Sequence, residues 1–335
     1  MVGSTVASAQ SLTQSNLNVI GSASFMPLYS EREQPFWTKT LAEKSDGKIA
    51  AQVRAFNEAG LKGTELFRLL QQGVADAATP ILGYLAADDA MNEAVDLAGI
   101  APTADVARAV SQAWEPVLDK HYRERNKATV LGVLAYPSQV LFCRTAFNGL
   151  SDLKGRKVRT GNRSLAELVE SLGATSVTMP IGDVVPSLER GVVDCAITGS
   201  LTAYKQKWFD VVDNVYELGL GWSQLATVVS LKKWDSMSEA DRQFLTTEYK
   251  ALEAAVWDDV DKQTTSGFDC LTGQGPCPYG APASMKLIKV TPADRSLLEA
   301  KLKETVVPAW AARCGKDCPQ AWNSSIGKII NVTAN

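Results

Sequence analysis

Short apolar and β-branched runs alternate along this chain with stretches in which apolar residues recur every three or four positions. The run 17–24 predicts a first buried strand, followed by a helix over 31–44 and a strand over 49–56. A helix over 64–72, a stop at Gly73 and a strand over 74–78 come next. A second series begins with strands over 129–134, 140–143 and 157–160, then a helix over 164–172 and a strand over 176–179. A helix over 184–189 and a strand over 195–198 close it. Alternation of this kind predicts α/β layers with mostly parallel strands.

The two series share an internal echo. Leu70, Gly73-Val74-Ala75-Asp76 and Ala78 recur as Leu188, Gly191-Val192-Val193-Asp194 and Ala196, in each case reading helix, glycine, Val-x-Asp, buried strand. A glycine in the left-handed position ends a helix cheaply and lets the chain turn straight into a strand. The spacing is too long for a solenoid and suits two similar α/β lobes, although helix–Gly–strand is common in any α/β protein. From Ser238 a helical pattern runs almost unbroken to about residue 265. About 28 residues would span roughly 40 Å, longer than one small lobe is wide, so this helix can brace both.

A chain of 335 residues agrees with two lobes, and 45% hydrophobic with 21% charged residues suffices for a normal core. The 34 basic and 37 acidic side chains are interspersed, giving a net charge of −3 and no basic patch for nucleic acid or an anionic membrane. No window reaches the roughly 20 apolar residues of a membrane span. Met1 to Gln10 ends in a small-x-small pattern, read as the stub of a removed secretion signal. Cysteines at 143, 195, 270, 277, 314 and 318 form an even set. Their spacing fits zinc poorly, so disulfides and an oxidising compartment are expected.

Catalytic signatures are missing from this pattern. His121 is the sole histidine and lies on a charged helical face, where a solvated role is expected. There is no nucleophile elbow, phosphate-cradling glycine loop or His-Glu-x-x-His. The neighbours Asp88-Asp89 and Asp258-Asp259 point in different directions on a helix and read as solvated surface. No cofactor is expected.

Five segments then carry a resemblance: Leu70 to Asp76, Asp96 to Pro102, Asp152 to Thr160 with Gly173 to Pro180, Gly191 to Asp194, and Lys232-Lys233-Trp234 before Ser236 to Ser238. In order and spacing they resemble the substrate-binding proteins of TRAP transporters, periplasmic carriers of the DctP type. The resemblance implies an α/β fold of the periplasmic binding protein kind: two lobes, a hinge and a long bracing helix. Lobe I is expected at 16–137 plus 225–264, and lobe II at 138–224 plus 265–335. It also implies a periplasmic location, a small-molecule carboxylate as ligand and TRAP membrane permease subunits as partners. An ABC-type or sensor receptor would share the fold, whereas an α/β enzyme would need a general base in the cleft.

In the family an arginine at the end of the Lys-Val-Arg strand forks onto the substrate carboxylate, and that position is Arg159. A planar guanidinium suits this because it makes two parallel charge-assisted hydrogen bonds. Where many members carry a second arginine this chain has Gln139, and Arg144 falls on the opposite strand face. Thr198 replaces an asparagine contact, and Ile181 replaces an aromatic, giving an apolar wall. Trp222 is expected to stack on the ligand, with Tyr84 and Tyr29 on the opposite wall. One carboxylate with an apolar or aromatic body is the expected ligand, and a C4-dicarboxylate is the alternative. Cys143 and Cys195, on strands beside the hinge, are expected together; Cys270, Cys277, Cys314 and Cys318 pair either locally or crosswise.

Overall fold

The computed structural model describes residues 11–335, so the expected signal stub lies outside the described residues. Eleven strands form two sheets: β1 (Ser15–Gly21), β2 (Ile49–Ala55), β3 (Ala77–Ala78), β4 (Ala128–Ala135), β5 (Gln139–Cys143), β6 (Lys157–Thr160), β7 (Thr175–Thr178), β8 (Cys195–Gly199), β9 (Asn214–Tyr216), β10 (Gln224–Ser230) and β11 (Lys286–Ile288). The first sheet has the order β2-β1-β3-β10-β4 and the second β11-β9-β5-β8-β6-β7. Strands β1, β2 and β3 are parallel, as are β6, β7 and β8.

The expectation of mostly parallel sheets needs correction at two strands. β10 runs antiparallel to β3 and β4, and β5 antiparallel to β8 and β9. Each is the first strand after the chain crosses between sheets, so it enters from the cleft side and runs outward, against its neighbours. The two crossings lie side by side: Gln139 N–H donates to Gly221 O at 2.7 Å, and Leu220 N–H to Gln139 O at 2.7 Å.

The internal echo is a shared device. Asn18 N–H donates to Asp76 Oδ2 and Lys157 N–H to Asp194 Oδ2, both at 2.8 Å, while each aspartate's own N–H returns to the same residue's carbonyl. Gly73 and Gly191 sit at φ 71° and 68°, the left-handed geometry that spares a Cβ penalty.

Around the first sheet, π-helical turns Leu28–Glu33 and Phe36–Thr40 lead into α1 (Leu41–Lys44), followed by α2 (Leu66–Gln71), α3 (Leu82–Leu85) and α4 (Ala104–Arg125). Around the second lie α5 (Arg163–Ser171), α6 (Val184–Glu189) and α7 (Ser200–Lys205), with α8 (Leu231–Ser236) following β10. The bracing helix α9 (Glu239–Thr272) has 34 residues, opened by a Ser238–Asp241 capping box. Trp257 Nε1 donates to Val133 O of the first sheet, whereas Cys270 and Leu271 belong to the core of the second. Between them, Thr264 Oγ1 accepts Ser138 N–H at the crossing.

The chain ends in α10 (Pro292–Lys301), α11 (Val307–Cys314), α12 (Asp317–Ser324) and α13 (Ile326–Ile330). These were expected within lobe II but touch both layers. Trp310 packs on Trp114 of α4 and donates to Ala90 O, and Arg313 pairs with both Glu93 and Glu167 of α5.

All six cysteines are paired: Cys143–Cys195, Cys270–Cys277 and Cys314–Cys318. Cys143 and Cys195 are register partners on β5 and β8. The other four pair locally, and α11 ends at Cys314, so the last bridge closes a turn rather than a continuous helix. No described helix is long and apolar enough to cross a membrane.

Candidate functional site

A narrow cavity lies between the sheets, walled by residues at strand ends: Ala23 after β1, Ile81 after β3, Tyr136 after β4, Arg159 in β6 and Thr198 in β8. It leaves about 50 Å³ for the centres of water molecules. Of the sequence candidates, Arg159, Gln139, Thr198, Ile181 and Tyr84 line it. Trp222 and Tyr29 do not.

Arg159 dominates the electrostatics. It is 2% exposed, yet no described carboxylate forms an ion pair with it. Its Nε and one terminal nitrogen donate to Met179 O at 3.0 and 2.7 Å, and the other terminal nitrogen donates to Ile197 O at 2.8 Å. Backbone carbonyls from the start of the Pro180 turn and from β8 thus aim the fork, with Tyr84 as a further side-chain partner. Burial lowers its pKa, and Tyr84 from the first-sheet side partly offsets this. An arginine stays charged even so, and a buried cation without an anion is costly. Such a site favours an anionic ligand.

Trp222 was expected to stack on the ligand, and the structure corrects this. Its Nε1 donates to Ala101 O and its N–H to Asp96 Oδ1, so the indole is turned into the core at 4% exposure. The next residue reaches the cavity instead: Ser223, held at φ 46°. Tyr29, expected on the opposite wall, packs against Gly21, where an added Cβ would meet its ring at 2.8 Å. Its place is taken by Tyr136, whose hydroxyl accepts Ala23 N–H and is pushed up by burial.

Behind this wall lies Glu33, a fully buried carboxyl that sequence reasoning missed. It accepts from Ser22 N–H, Ser22 Oγ and Thr79 Oγ1 at 2.7, 2.6 and 2.5 Å, while burial raises its pKa. Phe25, Met26, Phe56, Asn162 and Thr202 complete the wall and were also missed. Asn162 alone left a trace in sequence, as an N-cap residue three places after Arg159; its Oδ1 accepts Leu165 N–H at 2.9 Å.

His121 and Asp89 were expected to be solvated, but His121 Nε2 lies 2.5 Å from Asp89 Oδ2 and both are largely covered. Burial pushes the Asp89 carboxyl up, and the imidazole outweighs that to hold it low. Asp258 and Asp259 pair with Arg108 and Arg32. None of these lines the cavity.

The two layers also touch directly. Ser164 Oγ of α5 accepts Ala98 N–H from the first layer at 3.1 Å, and Thr202 Oγ1 faces Met26 Sδ at 3.4 Å. Two lobes meeting around a narrow pocket with a guanidinium that has no ion-pair partner among the described residues define a receptor for a small solute.

The family follows from comparison. The chain matches the model of bacterial extracellular solute-binding protein family 7, DctP, over residues 30–309, and it belongs to that family, whose members are receptors rather than enzymes. A solute-binding protein of Albidiferax ferrireducens is 28% identical over 118 residues; the match covers 33% of this chain and 35% of that relative's length. A Comamonas testosteroni protein named outer membrane transporter protein TsaT is 24% identical over 69% of this chain and 70% of its own.

Solved structures share the fold over nearly the whole chain. DctP6 of Bordetella pertussis, a receptor binding pyroglutamic acid, superposes with a TM-score of 0.81 at 23% identity, covering 94% of this chain and 100% of its own. A TRAP solute-binding protein of Desulfovibrio salexigens with bound orotic acid gives 0.83 at 14% identity, covering 94% and 99%.

Proposed function

We propose that this protein captures a small organic acid in the periplasm by lobe closure and delivers it to TRAP-type membrane permease subunits. The observation that carries this reading is Arg159, buried and aimed by three carbonyl contacts, with no protein carboxylate to neutralise it. A bound carboxylate supplies the missing charge and two short charge-assisted bonds. Gln139, Thr198 and Ser223 offer neutral donors, while Ile181, Leu165, Phe25 and Phe56 offer apolar surface. One cation with so much apolar lining suits a compact monocarboxylate better than a dicarboxylate or a polyhydroxylated sugar acid.

Pyroglutamic and orotic acids, bound by the related proteins, are compact ring carboxylates of this kind. Three disulfides fit an oxidising compartment, and the extracellular character of the family agrees. Lobe boundaries near 137/138 and 224/225 put the hinge in the paired crossings. Ligand touching both walls then favours closure, and the permease reads it.

Mass spectrometry of the solute co-purified with the protein, followed by thermal-shift screening of organic acids, tests this. A true ligand raises the midpoint in proportion to log concentration once in excess, and X-ray scattering should show compaction on binding. Tight binding of uronic or sialic acids with none of simpler carboxylates would refute the pocket reading.

A further inference from the structure

The narrow cavity adjoins a larger outer groove of about 590 Å³, lined by Thr64, Ala87, Glu167, Thr178 and Pro180 among others. Four residues belong to both: Gly83 and Tyr84 of α3, and Gly161 and Asn162 before α5. The partition is therefore built from one pair on each side of the cleft. One of these four, Gly83, makes a close approach across the cleft. A Cβ added to Gly83 would lie 3.0 Å from Asn162 Cβ and 3.2 Å from its Nδ2.

Gly83 has no backbone reason to be glycine. It sits within the helical turn Leu82–Leu85, and its φ lies outside the left-handed region. Nor can Asn162 step aside cheaply, because its Oδ1 caps α5 through Leu165 N–H and also accepts from Ser164 Oγ. A lost cap of this kind is costly, and the closest atom is a Cβ, fixed by the backbone. A methyl group at 83 therefore fits only if the two sides move apart slightly.

We propose that the Gly83–Asn162 contact is the seal between inner cavity and outer groove, and that Gly83 sets the length of solute the closed protein can enclose. This rests on the cavity being the solute site. Solutes that end inside the contact are sealed from water, and those that extend past it prevent closure. The charge on Arg159 acts at full strength only behind that seal, because water in the cavity would screen it.

Two measurements test the seal and separate it from the carboxylate reading. In Gly83→Cys/Asn162→Cys, oxidised without any ligand, peptide mass mapping is expected to find an 83–162 cross-link, since the Cβ atoms start close to bridging distance. A folded double variant that keeps both new thiols free overturns the contact. With pyroglutamate as probe, Gly83→Ala should bind roughly ten-fold more weakly and Gly83→Val more weakly still, as expected for overpacking. The urea midpoint of the unliganded protein should not fall.

Moving the missing side chain to the other lobe, in Gly83→Ala/Asn162→Gly, should restore most of the affinity, because glycine is a tolerable N-cap. Wild-type affinity in Gly83→Val, or no recovery in the exchanged pair, overturns the seal. If the wild-type chain ignores pyroglutamate and all other carboxylates, the ligand reading fails and the cross-link alone judges the seal. Should the double-cysteine variant not fold, the binding series judges it.

Discussion

Arg159 carries more than a ligand contact. Because its guanidinium already bonds Met179 O and Ile197 O, it also ties the Pro180 turn to β8. Removing one partner of a desolvated charge pair typically costs ~2–5 kcal/mol, roughly a 30- to several-thousand-fold loss of affinity. Arg159→Ala should show that loss by calorimetry, and Arg159→Lys should recover little, since an ammonium cannot reproduce the fork. Near-native affinity in a variant with native circular dichroism would misplace the site.

Asp96 is the other residue whose environment decides its behaviour. Burial pushes its pKa to about 6 against hydrogen bonds from the backbone of Trp222, Ser223 and Gln224. The folded value lies above the ordinary one near ~4, so the native state holds the proton more tightly. Its contribution to stability therefore declines as pH rises from about 4 to about 6 and is flat above, a change on the order of 3 kcal/mol. The stability difference between wild type and Asp96→Asn should shrink over that range in urea titrations. A difference independent of pH would show that Asp96 does not titrate there.

At the scale of elements, α9 depends on one close approach. A Cβ on Gly267 would land on the Leu201 amide and 2.5 Å from Ser200 Oγ at the start of α7. Alanine gains about 1 kcal/mol in helix propensity over glycine, but the obstructing atoms are backbone and cannot yield. Ser200 Oγ could turn away but the backbone of Ser200 and Leu201 could not, so overpacking of ~1–3 kcal/mol should win and Gly267→Ala is expected to lower the urea midpoint. A stabilised variant would mean that α9 is free to slide along the second sheet. The antiparallel entries of β5 and β10 belong to this scale too, since each follows from where a crossing delivers the chain.

Across the whole molecule, the disulfides differ in what they constrain. Cys143–Cys195 joins residues 52 apart, whereas Cys270–Cys277 and Cys314–Cys318 close separations of 7 and 4. Chain-entropy arguments give about 4 kcal/mol for the long loop and about 2 for each short one. Paired cysteine-to-alanine replacements should therefore destabilise most at 143/195, measured by chemical denaturation. Equal losses at all three would show that native packing, not loop length, sets their effect.

Sequence alone determined the order of strands β1 to β8, the two Gly-Val-x-Asp turns, the long helix and an arginine at the end of β6. These are legible because periodicity, caps and left-handed glycines act within a few residues. Of the residues singled out by resemblance, Arg159, Gln139, Thr198, Ile181 and Tyr84 come together on the cavity wall. The tertiary structure alone decided that Trp222 turns inward while Ser223 faces the cavity, that Tyr136 rather than Tyr29 forms the wall, and that His121 meets Asp89. It alone shows Gly83 beneath Asn162. Each of these depends on which side of a turn faces a partner far away in the chain, where local pattern carries no information and close packing selects one answer.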